Sequence, residues 1–178
     1  MSEVKRRLAT ILATDCVDFS KHMESQEEKT LSSLKECRDI IDPIINKFSG
    51  RIFHTAGDSI IAEFDSPVGA IKAGVEFQKS IKDRNLTEDT NPKLSWRVGI
   101  HLDDIIIEGD NIYGNGVNIA ARLEALSQPN GVCISKSIYD LVVPKTKMTF
   151  NDLGVQKVKQ NSFHAYDILL DPSQKRKL

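Results

Sequence analysis

Two aspartates stand at sharp breaks that follow apolar stretches of the chain. Asp15 ends the segment LATILATD, and Asp58 follows a glycine in RIFHTAGD. Strands are predicted at 8–12 and 60–64, and a carboxylate at the edge of a buried strand needs a cation to offset its desolvation. Mg²⁺ prefers oxygen ligands and keeps substrate phosphates and waters in its other positions. The pair predicts a divalent-metal site for phosphate chemistry, although each aspartate taken alone is better explained as a turn or capping residue.

A third segment whose residues could take part in catalysis is IYGNGVNIAARLE, in which a glycine-rich entry leads into a predicted helix. Asn118 and Arg122 are four residues apart in it and share one helix face. A planar guanidinium beside an amide suits the charge of a phosphoryl transition state and the orientation of a nucleotide sugar. The alternative is that Arg122 is an exposed arginine paired with a residue four positions away on the same helix. The spacing alone modestly favours this alternative.

Five separated segments resemble, in order and spacing, the catalytic domain of the class III nucleotidyl cyclases. They are RRLATILATD, GRIFHTAGDSIIAEF, WRVGIHLDDIIIEGD, IYGNGVNIAARLE and FNDLGVQKVKQ. The resemblance covers about residues 6–170 and implies a single catalytic domain over residues 1–178 with short tails. It also implies an α+β fold, a ferredoxin-like sandwich in which helices cover an antiparallel-rich sheet, working as a head-to-tail homodimer.

The resemblance assigns roles to several residues. It implies that Asp15 and Asp58 hold two divalent cations per site, Mg²⁺ or Mn²⁺, and that Asn118 and Arg122 are the catalytic pair that acts on the transition state. Lys159 matches the lysine that contacts the terminal phosphates, although Lys157 competes for that assignment. The turn after the first aspartate is expected to bind the substrate phosphates, and its residues are Val17, Asp18, Phe19 and Ser20.

The implied reaction is the attack of a ribose 3'-hydroxyl on the α-phosphorus of a nucleoside triphosphate, which gives a 3',5'-cyclic nucleotide and pyrophosphate. In the family, one subunit supplies the metal-binding aspartates and the other supplies the Asn and Arg pair. This chain carries both halves, so a homodimer with two equivalent composite sites is the expected active form.

The residues expected to read the base depart from the family pattern. Adenylate cyclases of this kind usually have Lys four residues before the second metal aspartate, and Asp or Thr seven residues before the catalytic Asn. Here the two positions are His54 and Asn111. Lysine only donates and a carboxylate only accepts, whereas His and Asn can each do either. The donor and acceptor pair that recognises adenine is therefore absent, and no pair that would recognise guanine replaces it.

This departure favours UTP or CTP as substrate, because an imidazole fills space that a pyrimidine leaves. Short cyclases with an altered purine pair resemble the pyrimidine cyclases of bacterial antiphage systems, whose cyclic UMP or cyclic CMP acts on a separate effector. The alternative is an adenylate cyclase in which His54 replaces Lys and Asp110 supplies the acceptor, and cyclic GMP synthesis ranks third. A further alternative is a catalytically silent, nucleotide-binding regulatory domain, which the presence of all four catalytic and metal residues disfavours.

Composition limits the partners of the chain. Its 178 residues are 40% hydrophobic, enough for one core, and its formal net charge of -1 argues against nucleic acid as a partner. No run of about 18 apolar residues is available to span a membrane. The three cysteines are odd in number and widely spaced, which favours reduced thiols. We therefore expect a cytoplasmic protein with neither membrane nor nucleic acid partners.

The spacing of apolar residues predicts the helices and strands that position the two aspartates. Apolar residues at helical spacing predict a helix through 41–48 that ends at Gly50 and a second helix over 70–81. Between these helices, the segments 51–54 and 59–64 are predicted to form a hairpin with Asp58 in its turn.

The second half of the chain is predicted to continue the alternation of strands and helices. The segments 94–101 and 104–108 are predicted to form another hairpin. Arg97 and His101 on its first strand are predicted to be structural. A strand at 132–135, a helix at 136–142 and a final hairpin from Met148 follow. The terminal SQKRKL reads as a disordered basic tail.

Overall fold

The computed structural model describes residues 5–158 and 160–178, with the side chains of His54 and Val158 outside that description. The strands in these ranges form one eight-stranded sheet. They are β1 (Lys5–Cys16), β2 (Arg51–Ala56), β3 (Ser59–Phe64), β4 (Trp96–Glu108), β5 (Asn111–Tyr113), β6 (Val132–Ser135), β7 (Thr149–Val158) and β8 (Asn161–Leu169). The α-helices are α1 (Phe19–Lys47), α2 (Pro67–Thr87), α3 (Asn115–Leu126) and α4 (Lys136–Val142).

The sheet has the order β2-β3-β1-β4-β6-β8-β7, and β5 pairs with β4 beyond this path. The pairs are antiparallel except for β4 with β6, which run parallel. The parallel pair is possible because α3 provides the crossover between its two strands. This is the antiparallel-rich α+β sheet that the sequence predicts.

Helices lie on both faces of the sheet. The alternation of β1 shows this directly, since Leu12 packs in the large cluster with α1, α2 and α4. Its neighbours Ile11 and Ala13 point to the opposite face, where they pack with Ala120 of α3. The first face buries the main core, and the second carries α3.

Helix α3 lies unusually close to the sheet at Gly99 of β4. A Cβ atom at this position would lie 2.2 Å from the backbone nitrogen of Glu124 and 2.4 Å from the carbonyl oxygen of Ala120. Any larger side chain would push the helix away from the strand. The glycine therefore sets the distance between α3 and the strand beside β1.

The structure corrects one predicted hairpin. Residues 94–108 were expected to form two strands, but β4 is continuous and pairs with β1 from Lys5 opposite Ile107 to Cys16 opposite Trp96. The segment between the expected strands, residues 102–103, contains one aspartate but no Gly or Pro, so nothing interrupts this long register. The turn comes later, at Gly109 with φ 60°, and leads into β5.

Other predicted elements are confirmed, some with shifted ends. The β2–β3 hairpin, β6, α4 and the β7–β8 hairpin form as expected, whereas α1 and α2 extend well beyond their predicted segments. All three cysteines are free and buried. Among the described helices, none is both long enough and apolar enough to cross a membrane.

The prediction of a disordered tail is wrong for Arg176. Its guanidinium donates to both carboxylate oxygens of the buried Asp167, at 2.7 and 3.1 Å, and to the carbonyl oxygen of Leu126 at 2.7 Å. Asn151 in turn donates to the backbone oxygen of Arg176 at 2.7 Å. The sequence pattern showed a basic run but could not reveal the buried acid that anchors it.

Replacement of Arg176 tests this anchor. In Arg176→Ala the buried Asp167 carboxylate loses its cation, and we expect the free energy of unfolding to fall by about 3 kcal/mol. Urea unfolding followed by circular dichroism measures this change. Lys177→Ala, which truncates an exposed basic neighbour, is the matched control and should leave the midpoint unchanged. Equal midpoints for the two variants would contradict the anchoring role.

Candidate active site

The β1–β3 pairing brings the two predicted metal aspartates together. Asp15 is the penultimate residue of β1, and Asp58 lies in the turn between β2 and β3 after Gly57 at φ 61°. The backbone N–H of Cys16 donates to Asp58 Oδ2 at 2.8 Å, which fixes the turn against the end of β1. The two carboxylates are therefore neighbours, and both are half-buried.

The electrostatics of this pair favour a bound cation. Burial raises the pKa of Asp58, and the nearby Asp15 raises it further, while the N–H groups of Cys16 and of Asp58 itself oppose the shift. Like charges in a partly desolvated place repel each other, and a cation between them removes that repulsion.

The donor set fits a hard divalent ion that binds together with its substrate. In the described part of the chain, no group of three or more His, Cys, Asp or Glu side chains has a geometry that could hold a metal. Mg²⁺ is often bound through one or two carboxylates plus substrate phosphates and water. Asp15 and Asp58 match that arrangement and do not form a closed structural site.

The turn after Asp15 leads into the N-terminus of α1, whose first segment is short because the helix is interrupted by a kink at Gln26. Asp18 adopts a left-handed conformation with φ 54°, and α1 begins at Phe19. The N–H of Val17 donates to the carbonyl oxygen of Ser95 at 2.7 Å, so this amide is already used within the fold. The amides of Phe19 and Ser20 belong to the first helical turn, which has no intrahelical acceptors and favours phosphate.

The predicted catalytic pair, Asn118 and Arg122, lies on the side of α3 that faces away from the sheet. Ala120 and Glu124 form the stripe that presses on Gly99. Asn118 and Arg122 each precede one of these residues by two positions, which places them about 200° around the helix. Asn118 is exposed, and Arg122 Nε is buried without an acceptor among the described residues. This donor is therefore unsatisfied within the described part of the chain.

The two predicted halves of the site do not come into contact within one chain. Across residues 5–158 and 160–178, no hydrogen bond or ion pair joins Asn118 or Arg122 to Asp15 or Asp58. The packing of α3 explains this separation, because the helix turns its other stripe towards β1 and β4. The predicted metal residues and the predicted transition-state residues of the chain therefore face different directions.

The two predicted base-reading positions lie on neighbouring segments. The backbone of His54 in β2 pairs with Ile61, and Asn111 is the exposed first residue of β5. The adjacent residues Phe53 and Ile112 pack in one apolar cluster. Lys159 lies outside the described residues, and its competitor Lys157 is exposed on β7.

One residue near Asp15, Glu124, was not predicted from the sequence. It is 7% exposed, and its carboxyl group is in hydrogen-bonding contact with Asp15. Burial raises its pKa to about 9, and the contact with Asp15 adds to the shift. The available signal was its position four residues after Ala120, on the sheet-facing stripe of α3.

Comparison with known proteins defines the family. A family model described as the adenylate and guanylate cyclase catalytic domain matches residues 3–169. The chain therefore belongs to this family, the class III cyclase catalytic domains.

Its relatives share both sequence and fold. "Putative adenylate cyclase 3" of Rhizobium meliloti (strain 1021) is 39% identical over 159 residues, 88% of this chain and 27% of that protein. The solved adenylate/guanylate cyclase/hydrolase from Silicibacter pomeroyi is 34% identical, with a TM-score of 0.87 over 95% of this chain and 100% of that chain.

A more distant structure supports the fold alone. The adenylyl cyclase CyaB from P. aeruginosa is 23% identical, with a TM-score of 0.82 over 97% of this chain and 99% of that one. "Adenylate cyclase 1" of Rhizobium meliloti (strain 1021) is 24% identical over 175 residues, 88% of this chain and 26% of that protein. The chain thus spans about a quarter of the length of these two curated Rhizobium relatives.

Proposed function

We propose that the chain acts as a homodimer with two composite sites, which cyclise a nucleoside triphosphate to a 3',5'-cyclic nucleotide and pyrophosphate. The observation that carries this proposal is the division of the protomer. Asp15 and Asp58 converge at the end of the sheet, while Asn118 and Arg122 face away from it on α3. A two-fold axis that sets one half against the other completes both sites at once.

Each group has a part in this reaction. Divalent metal ions, which class III cyclases use, would neutralise the triphosphate and lower the pKa of the attacking 3'-hydroxyl. Asp15 and Asp58 hold this end of the site, and the first turn of α1 offers N–H groups to the phosphates. From the other protomer, Arg122 donates to the α-phosphoryl oxygens as their charge grows, and Asn118 orients the ribose.

ATP is the substrate that the relatives favour. The Rhizobium protein that is 39% identical is described as a putative adenylate cyclase. In this assignment His54 stands where lysine is usual and Asp110 or Asn111 accepts from the exocyclic amine of adenine.

A pyrimidine nucleotide is the second candidate, and it rests on the residues alone. His54 and Asn111 lie on neighbouring segments and lack the polarity of the usual adenine-reading pair. None of the relatives named above is described as a pyrimidine cyclase. An antiphage role, with a separate effector for cyclic UMP or cyclic CMP, belongs with this candidate only.

Product analysis tests the activity and its base. We expect the purified chain, incubated separately with ATP, GTP, CTP and UTP in Mg²⁺ or Mn²⁺, to release pyrophosphate and one dominant cyclic nucleotide, measured by mass spectrometry. Cyclic AMP supports the leading assignment, and cyclic UMP or CMP supports the second. The double variant Asp15→Asn, Asp58→Asn is the control, and product formation that survives in it would contradict the metal site.

A double substitution tests the base-reading positions. His54→Lys with Asn111→Asp restores a donor and an acceptor of fixed polarity, so we expect kcat/KM for ATP relative to UTP to rise by about tenfold or more. Steady-state kinetics with both nucleotides measure this ratio. His164→Lys, which changes a histidine paired with Asp152 on the distant β7–β8 hairpin, is the control. An unchanged ratio in the double variant would show that the two positions do not read the base.

Subunit complementation tests the composite site. Asp58→Ala and Arg122→Ala should each be inactive, because each removes one half of both sites. Mixed dimers of the two, purified through different tags, regain one intact site of two and should show about half the wild-type activity. Mixed dimers of Asp58→Ala with Asp15→Ala damage the same half in both sites and should remain inactive. Equal activity in the two kinds of mixed dimer would refute the shared site.

A further inference from the structure

The C-terminal tail, defined as residues 171–178, packs between the end of α3 and the sheet. Its Arg176 side chain donates to the carbonyl oxygen of Leu126, the last residue of α3, at 2.7 Å. The same guanidinium donates to both carboxylate oxygens of the buried Asp167 on β8, at 2.7 and 3.1 Å. One side chain therefore ties the last turn of α3 to a strand of the sheet.

The loop that follows α3 is held by the same C-terminal tail. Gln128 donates from its side chain to the carbonyl oxygen of Gln174 at 2.7 Å, and Gln174 donates in turn to that of Asn130 at 3.3 Å. On the sheet side, the Asn151 side chain of β7 donates to the carbonyl oxygen of Arg176 at 2.7 Å. The C-terminal tail is therefore bonded to the end of α3 on one side and to β7 and β8 on the other.

Arg176 supplies the end of α3 with a cation that the helix itself lacks. The last carbonyl groups of a helix have no intrahelical donor, and a cation beside them is stabilised by the helix dipole. The last turn of α3 contains no basic residue. Arg176 reaches Leu126 from 50 positions further along the chain, and its side chain is 22% exposed. The end of the helix therefore depends on the C-terminal tail for its charge partner.

The position of this helix end bears directly on Arg122, which lies one helical turn before Leu126. Apolar packing also holds α3, since Ile119 and Leu123 lie in one cluster with Cys133 of β6. Apolar contacts are non-directional, so they tolerate a small shift of the helix along its axis. A hydrogen bond to a carbonyl oxygen has a defined length and direction, and it resists such a shift. Misplacing a reacting group by about 1 Å can lower the rate by about 100-fold.

We propose that Arg176 is a positioning residue, which holds the last turn of α3 against β8 so that Arg122 meets the α-phosphoryl oxygens of the substrate. The inference rests on the proposed function, because Arg176 acts through the role given there to Arg122. Each C-terminal tail bonds to the α3 of its own protomer. Its effect is therefore confined to the composite site that this α3 completes.

Mixed dimers with a single intact site test this restriction. One protomer carries Arg122→Ala and supplies only the metal residues, while the other carries Asp58→Ala and supplies only α3. Arg176→Ala is then added to either protomer. Both arrangements contain one altered tail, so any general loss of stability is the same in both. Only the arrangement with the altered tail beside the working α3 should lose activity.

Steady-state kinetics of the single site measure the effect. With Arg176→Ala in the protomer that supplies α3, we expect kcat to fall by about tenfold or more and KM to change by less than about twofold, because Arg122 acts on the transition state. With Arg176→Ala in the other protomer, kcat should stay within about twofold of the unaltered single site. Lys177→Ala in the protomer that supplies α3 is the matched control and should leave kcat unchanged.

A second variant covers a failure to fold. If Arg176→Ala does not fold, Arg176→Lys replaces it. Lysine keeps the charge for Asp167 but lacks the planar fork that reaches Asp167 and Leu126 together. The same loss of kcat, confined to the protomer that supplies α3, is then expected.

Amide hydrogen exchange of the full chain gives a readout that needs no activity. In Arg176→Ala we expect exchange at residues 123–127 to accelerate about tenfold more than exchange in β1, because local opening of the helix end adds to global unfolding. Mass spectrometry of peptides from both regions measures this difference.

The outcomes distinguish this inference from the proposed function. An equal loss of kcat in the two arrangements, or no loss in either, would overturn the positioning role. An acceleration of exchange at the end of α3 that only matches that of β1 would overturn it as well. If neither the wild type nor the single-site dimer forms a cyclic nucleotide, the proposed function fails, and the exchange comparison still decides whether Arg176 holds α3.

Discussion

The close packing of α3 on β4 at Gly99 is the constraint on which the rest of the site depends. Because Ala120 and Glu124 press on the strand, Asn118 and Arg122 face away from it. The same contact carries Glu124 to Asp15, on the strand that pairs with β4. One helix position therefore sets both the outward direction of Asn118 and Arg122 and the surroundings of Asp15.

The charge distribution around Asp15 departs from what folding alone would select. Asp15, Asp58 and Glu124 bring three acids to the end of β1, and burial raises the pKa of both Asp58 and Glu124. Such crowding costs stability unless a proton, an arginine or a cation compensates it. Sites that bind divalent ions and phosphates accept that cost, because the ion supplies the missing charge. A similar demand is met without a metal at Asp167, where Arg176 provides the counter-charge.

Local sequence signals predicted a large part of the fold. The hairpin around Asp58, the strand at 132–135 and the helix at 136–142 are short local elements, and each forms as predicted. The errors come where long-range pairing overrides local pattern. The continuous β4 follows from its register with β1, and the ordered Arg176 follows from a buried acid on another strand. Neither partner is visible within a short window of sequence.

The sequence by itself determined the α+β class, the family and the four residues expected at the reacting centre, because motif residues and their spacing survive without coordinates. It was silent on which residues share a neighbourhood. Only the tertiary structure placed Asp58 against the end of β1, turned Arg122 away from Asp15, and buried Glu124 beside that aspartate. The physical reason is that side-chain direction depends on which face of α3 meets the sheet. That choice is made by contacts between residues far apart in the chain.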